Sequence, residues 1–119
     1  MALRININPV IALLTDFGTS GWYAACMKAV LWRICPRARL VDITHEIPPQ
    51  DILAGAFTLA AAAPWFEPKS VFACVVDPGV GSARFLLAAA ADQQFFVGPD
   101  NGLMALVFQR AKRLDVVRL

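Results

Sequence analysis

The sequence predicts an α/β domain, a mainly parallel sheet with helices on both faces. Runs of strand length, Pro9 to Thr15, Arg39 to Thr44 and Ser70 to Val76, alternate with stretches of helical periodicity. The order strand, helix, strand, helix, strand requires crossover connections, which place helices over both sides of parallel strands. Each run also gives way to polar residues: Asp16 after the first, His45 and Glu46 after the second, Asp77 after the third. Right-handed crossovers align these ends on one edge, where open α/β sheets bind their ligands.

Pro9 to Thr15 (PVIALLT) reads as a fully buried strand, because it is short, apolar and ended by an acid. Asp16 to Gly21 is a turn, with Thr19 or Ser20 the expected cap of the next helix. From Trp22 to Ile34 apolar residues recur at helical spacing, with Tyr23, Met27, Val30 and Ile34 on one stripe, until Cys35-Pro36 ends the helix. Arg39 to Thr44 is the second strand. Pro48-Pro49 stops regular structure after it, and Asp51 caps an alanine-rich helix that Pro64 closes.

Ser70 to Val76 is the third strand, and Phe85 to Ala91 with Gln94 to Val97 forms a hairpin-like pair around Asp92-Gln93. Gly98 to Gly102 is a turn, in which Asp100 or Asn101 caps a helix from Leu103 to Arg110. Leu114 to Arg118 reads as a last strand.

Composition narrows the function classes. A length of 119 residues bounds the chain to one domain. Its apolar fraction, 58%, exceeds the roughly 45–50% of soluble domains, and its charged fraction, 17%, falls below about 25%. A small domain needs more polar surface than a large one, so an oligomer partner or further polypeptide is expected to cover part of this one. The longest uncharged run, Ile52 to Phe66, has 15 residues and contains Pro64, short of the about 18 that a membrane span needs. The N-terminus lacks the shape of a signal peptide.

A net charge of +2 makes no electrostatic case for nucleic acid. The clusters Arg33, Arg37, Arg39 and Arg110, Lys112, Arg113 read as solvated faces. Cys26, Cys35 and Cys74 fit neither a disulfide framework nor a zinc site, and read as reduced thiols of a cytoplasmic protein.

The stretch Val75-Val76-Asp77-Pro78-Gly79-Val80-Gly81, with Arg84 three residues on, carries the main functional expectation. A strand that breaks into an acid and a Gly-rich loop puts a carboxylate at the sheet edge, and the loop brings a guanidinium within its reach. A surface ion pair in a structural turn is the plainer reading. The loop is no P-loop, since it lacks the Gly-Lys-Ser/Thr ending that grips phosphate. Asp16 is either a helix cap or a carboxylate that accepts hydrogen bonds from sugar hydroxyls. His45, the single histidine, reads as a hydrogen-bonded structural residue ahead of a catalytic one, and no metal site is expected around it.

Read together, LLTDFGT at 13–19, VDITHEIPPQD at 41–51, VVDPGVGSAR at 75–84 and FVGPDNGL at 96–103 resemble one family. The chain is similar to the S-adenosylmethionine hydroxide adenosyltransferases, or adenosine-forming S-adenosylmethionine hydrolases, relatives of the fluorinating and chlorinating enzymes. The resemblance implies part of an N-terminal α/β catalytic domain, with a C-terminal β domain and a catalytic histidine supplied from outside these residues. It also implies a homotrimer with sites between subunits, S-adenosylmethionine as substrate, no cofactor, and an inactive or nearly inactive isolated fragment. A non-catalytic nucleoside-binding or assembly module is the alternative. An Asp-nucleophile phosphatase is disfavoured because Gly18 stands where its second acid belongs.

By the same resemblance Asp77 and Arg84 are catalytic and Asp16 holds the ribose hydroxyls. Fluorinases carry tyrosine where this chain has Asp77, which favours water over halide. Some relatives have an acid at Gly21 that contacts the methionine amine, and this chain lacks it. The leaving group is a neutral thioether that departs from a sulfonium without acid assistance. The difficulty is the nucleophile, because water has a pKa of about 15.7. A carboxylate beside a guanidinium is a weak base, so the pair is expected chiefly to orient the water while positive charge stabilises developing hydroxide.

Overall fold

The computed structural model describes residues 8–77 and 85–119. Strands β1 (Val10–Thr15), β2 (Arg39–Thr44) and β3 (Val71–Val75) alternate with helices α1 (Tyr23–Ile34) and α2 (Ile52–Ala62), as the periodicities require. A hairpin of β4 (Leu86–Ala91) and β5 (Gln94–Pro99), helix α3 (Ala105–Arg110) and strand β6 (Leu114–Arg118) complete the described fold. The sheet order is β2-β1-β3-β5-β4-β6. The first four strands in that order are parallel, β4 joins β5 antiparallel, and β6 joins β4 antiparallel and so runs in the direction of the first four.

β1 is buried along its whole length, and its alternation divides the core between the two faces of the sheet. Ile11 and Leu13 point to the α1 face with Ala38, Met27 and Leu31. Ala12 and Leu14 point to the α2 and α3 face with Phe72, Cys74, Phe96, Leu59 and Val107. The rings of Phe72 and Phe96 stack at 4.8 Å, and Phe66 meets Phe72 edge-on at 5.2 Å. Aromatic pairs of this kind contribute about 0.5–1.5 kcal/mol each beyond their buried area.

Several local expectations are corrected. Tyr23, Val30 and Ile34 of α1 are exposed, and the residues facing the sheet are Met27 and Leu31. Trp22, not Thr19 or Ser20, occupies the N-cap of α1 and makes no side-chain cap. Asp51 does cap α2, accepting from the Ala54 amide at 3.0 Å. Pro64 lies within a short 3-10 turn, Ala63–Trp65, that prolongs α2. Met104 is the N-cap of α3, so neither Asp100 nor Asn101 caps it. Apolar residues remain uncovered on both helices, among them Leu53, Phe57 and, beyond α2, Trp65, which is 89% exposed.

Candidate active site

The strand order changes direction at β1, since β2 lies on one side of it and β3 on the other. A crevice at such a switch point, beyond the carboxyl ends of the strands, is where a doubly wound sheet receives its ligand. Asp16 directly follows β1, and Asp77 follows β3 by one intervening residue. The register pairs Thr15 with Val75, and the Asp16 amide donates to the Val75 carbonyl at 3.3 Å. Asp16 and Asp77 therefore leave neighbouring strands at the same edge, as the sequence predicts. Arg84 lies outside the described residues.

The segment after β2 closes on Asp16. The Gln50 amide donates to Asp16 Oδ2 at 2.8 Å. Gln50 has φ 63°, a conformation that costs a residue with a Cβ roughly 1–2 kcal/mol. The Gly18 amide donates to the His45 carbonyl at 2.7 Å, and Gly18 has φ 77°, which glycine adopts at little cost. One oxygen of Asp16 is thus held by the protein, while among the described residues its other oxygen accepts no hydrogen bond.

His45 is buried beneath this loop. Its Nδ1 lies 2.7 Å from Thr15 Oγ1, and its Nε2 lies 2.7 Å from Asp42 Oδ1. Asp42 also accepts from Lys28 Nζ at 2.6 Å. Partial burial works to raise the Asp42 pKa, but hydrogen bonds from Lys28 and His45 and the positive charge of Lys28 outweigh it and hold the carboxyl below 3.8. The structural reading of His45 stands in these contacts.

Asn101, read from sequence as part of a turn, reaches back to the site. Its Nδ2 donates to the carbonyl of Val76, next to Asp77, at 2.8 Å, and its Oδ1 accepts from the Leu103 amide at 3.0 Å. The spacing of Asn101 and Leu103 suits such an Asx turn, and that was the available signal. No comparable signal marks Gln50, whose contact spans 34 positions.

Among the described residues no group of His, Cys, Asp and Glu is arranged to hold a metal. A cavity of about 400 Å³, lined in part by Phe66, Asp92, Gln94 and Arg110, lies at the amino ends of β3 and β5. It is on the opposite edge from Asp16 and Asp77. The switch point and its paired carboxylates make the carboxyl edge the better site, since polar groups from separate connections converge there.

Fold and site together define an open α/β domain with polar groups gathered at the switch point between β1 and β3. The family model for the SAM hydroxide adenosyltransferase N-terminal domain matches residues 11–119, and the chain belongs to that family. It is 46% identical over 97 residues to an (R)-S-adenosyl-L-methionine hydrolase of Salinispora tropica, across 82% of this chain and 37% of that protein. A fluorinase of Actinoplanes sp. is 27% identical over 127 residues, across 87% of this chain and 43% of the fluorinase. The crystal structure of an uncharacterized conserved protein from Thermotoga maritima superposes with TM-score 0.88 at 37% identity, covering 91% of this chain and 42% of that one. The chain thus spans less than half the length of these relatives.

Proposed function

We propose that this chain carries part of the active site of an adenosine-forming S-adenosylmethionine hydrolase, as the N-terminal α/β portion of a longer catalytic unit. Water attacks the ribose 5′ carbon in line with the sulfonium. The new C–O bond forms as the C–S bond breaks, giving adenosine, L-methionine and a proton. Asp16 accepts hydrogen bonds from the ribose hydroxyls. Asp77 and Arg84 orient the water, and the positive charges of Arg84 and the sulfonium favour its hydroxide character. No cofactor takes part in this scheme.

The observation that carries the reading is the emergence of Asp16 and Asp77 from adjacent parallel strands at the switch point. The exposed apolar residues Leu53, Phe57 and Trp65 support burial against further chain or neighbouring subunits, in keeping with a homotrimer. Among the described residues no helix is long and apolar enough to cross a membrane. The proposal includes a cytoplasmic location, with no nucleic-acid or membrane partner.

The test is chromatographic detection of adenosine from S-adenosylmethionine by the gene product at full length. Asp77→Asn is expected to lower kcat by roughly a hundredfold or more, since the water loses its orienting carboxylate. Unchanged turnover would remove Asp77 from the mechanism. The isolated 119 residues are expected to release little or no adenosine. Calorimetric binding of adenosine without turnover at full length would favour a nucleoside-binding module instead.

A further inference from the structure

We infer that His45 is a positioning residue for Asp16, acting through Thr15 and through its own backbone carbonyl. The inference rests on the assignment of Asp16 to the ribose hydroxyls.

The hydrogen-bond directions follow from what each group can do. Asp42 holds its carboxylate ionised and only accepts, so His45 Nε2 carries the proton and donates to it. In the neutral imidazole Nδ1 is then an acceptor, and the buried Thr15 hydroxyl donates to it. The same hydroxyl oxygen accepts from the Phe17 amide at 3.2 Å. The chain runs from the Phe17 N–H to Thr15 Oγ1, from the Thr15 O–H to His45, and from His45 to Asp42. Every buried side-chain nitrogen or oxygen among the described residues has a partner, those of this line included.

Asp16 lies between the two residues that the line fixes. Thr15 precedes it and is held by the imidazole, while the Phe17 amide after it is held by Thr15. The Gly18 amide is fastened to the His45 carbonyl at 2.7 Å. One histidine therefore constrains the backbone on both sides of the carboxylate, and the Gln50 amide from the same connection fixes one of its oxygens. Lys28 secures the far end by its ion pair with Asp42. What remains for Asp16 is a single preset direction for its second oxygen, which is what recognition of a diol needs.

The experiment measures steady-state turnover of S-adenosylmethionine by the gene product at full length, with adenosine binding by calorimetry as the second readout. His45→Gln should raise KM about tenfold with kcat changed by less than about threefold, as for lost ground-state positioning. His45→Asn keeps an acceptor near the position of Nδ1 and should recover most of that loss. Leu59→Val, a core variant away from the site, measures the effect of destabilisation alone and should leave KM unchanged.

In an Asp16→Asn background, His45→Gln should alter kcat/KM by less than about twofold, because the group it positions is already impaired. Fully additive losses in that cycle, with a normal wild-type enzyme, overturn the positioning role and leave the proposed function intact. KM raised equally by Leu59→Val also overturns it. Failure of the wild type to bind adenosine or turn over substrate overturns the function and this inference together.

Discussion

The side-chain amide of Asn101 donates to the carbonyl of Val76 at 2.8 Å, tying the turn after β5 to the residue before Asp77. Its Oδ1 is committed to the Leu103 amide, so both ends of one side chain are in use. Asn101→Ala should cost about 1–2 kcal/mol of stability through the loss of two half-buried hydrogen bonds. Asn101→Asp should cost more, although it is the closer isostere, because it sets a carboxylate oxygen against the Val76 carbonyl. Urea denaturation of the two variants checks the order. If the aspartate variant were as stable as the wild type, the tether would not exist.

The strand frame and the Asp16 and Asp77 ends were legible in the sequence because local patterns determine them. An unbroken apolar run such as Val10–Thr15 can be satisfied only by burial on both faces, and the polar residue after it must leave the sheet. Asp51 was legible for the same reason, since its capping bond spans only three positions. The buried face of α1 was not, because apolar residues surround that helix and periodicity cannot choose between Val30 and Leu31. The bonds from Gln50 to Asp16 and from His45 to Thr15 cross 34 and 30 positions, so they arise from the β1–β2 pairing and leave no local trace.

Asp42 should give the fold an acid-sensitive component. Its pKa is lowered in the folded state, so the unfolded chain binds a proton more readily. The stabilisation is fully present above about pH 4 and is lost as pH falls through the folded pKa, below 3.8. Asp42→Asn should therefore be less stable than the wild type at pH near 7, with the difference shrinking toward pH near 3. Half-exposure and salt screening make the effect modest, and added salt should reduce it. Denaturation midpoints across that range provide the check. A difference that grew on acidification would reverse the sign of the linkage.

The three cysteines should separate by reactivity. Burial pushes the Cys74 thiol up from 9.0 to about 12, so almost none of it is thiolate under mild alkaline conditions, and the core blocks access as well. Cys26 is exposed on α1 and Cys35 is partly covered at its end. With an aromatic disulfide reagent at about pH 8, Cys26 should react first, Cys35 more slowly, and Cys74 only after denaturation. Peptide mapping of the labelled sites distinguishes them. Labelling of Cys74 in the folded protein at the rate of Cys26 would contradict the packing between β1, β3 and β5.

Two glycines make close approaches, and they should respond differently to alanine. At Gly98 on β5 an added Cβ would stand 2.8 Å from the backbone carbonyl oxygen of Cys74 on β3. Neither strand can yield without disturbing the sheet, so Gly98→Ala should cost about 1–3 kcal/mol, in the range of other overpacking changes. At Gly55 on α2 the added Cβ would stand 2.6 Å from Leu103 Cδ1, the end of a side chain that can turn aside. There the substitution also gains about 1 kcal/mol of helix propensity, which offsets much of the repacking cost. Gly55→Ala should thus fall within about 1 kcal/mol of the wild type and well above Gly98→Ala in stability. The comparison isolates what is hit, because the nominal overlap is greater at Gly55, while the obstacle at Gly98 is main chain.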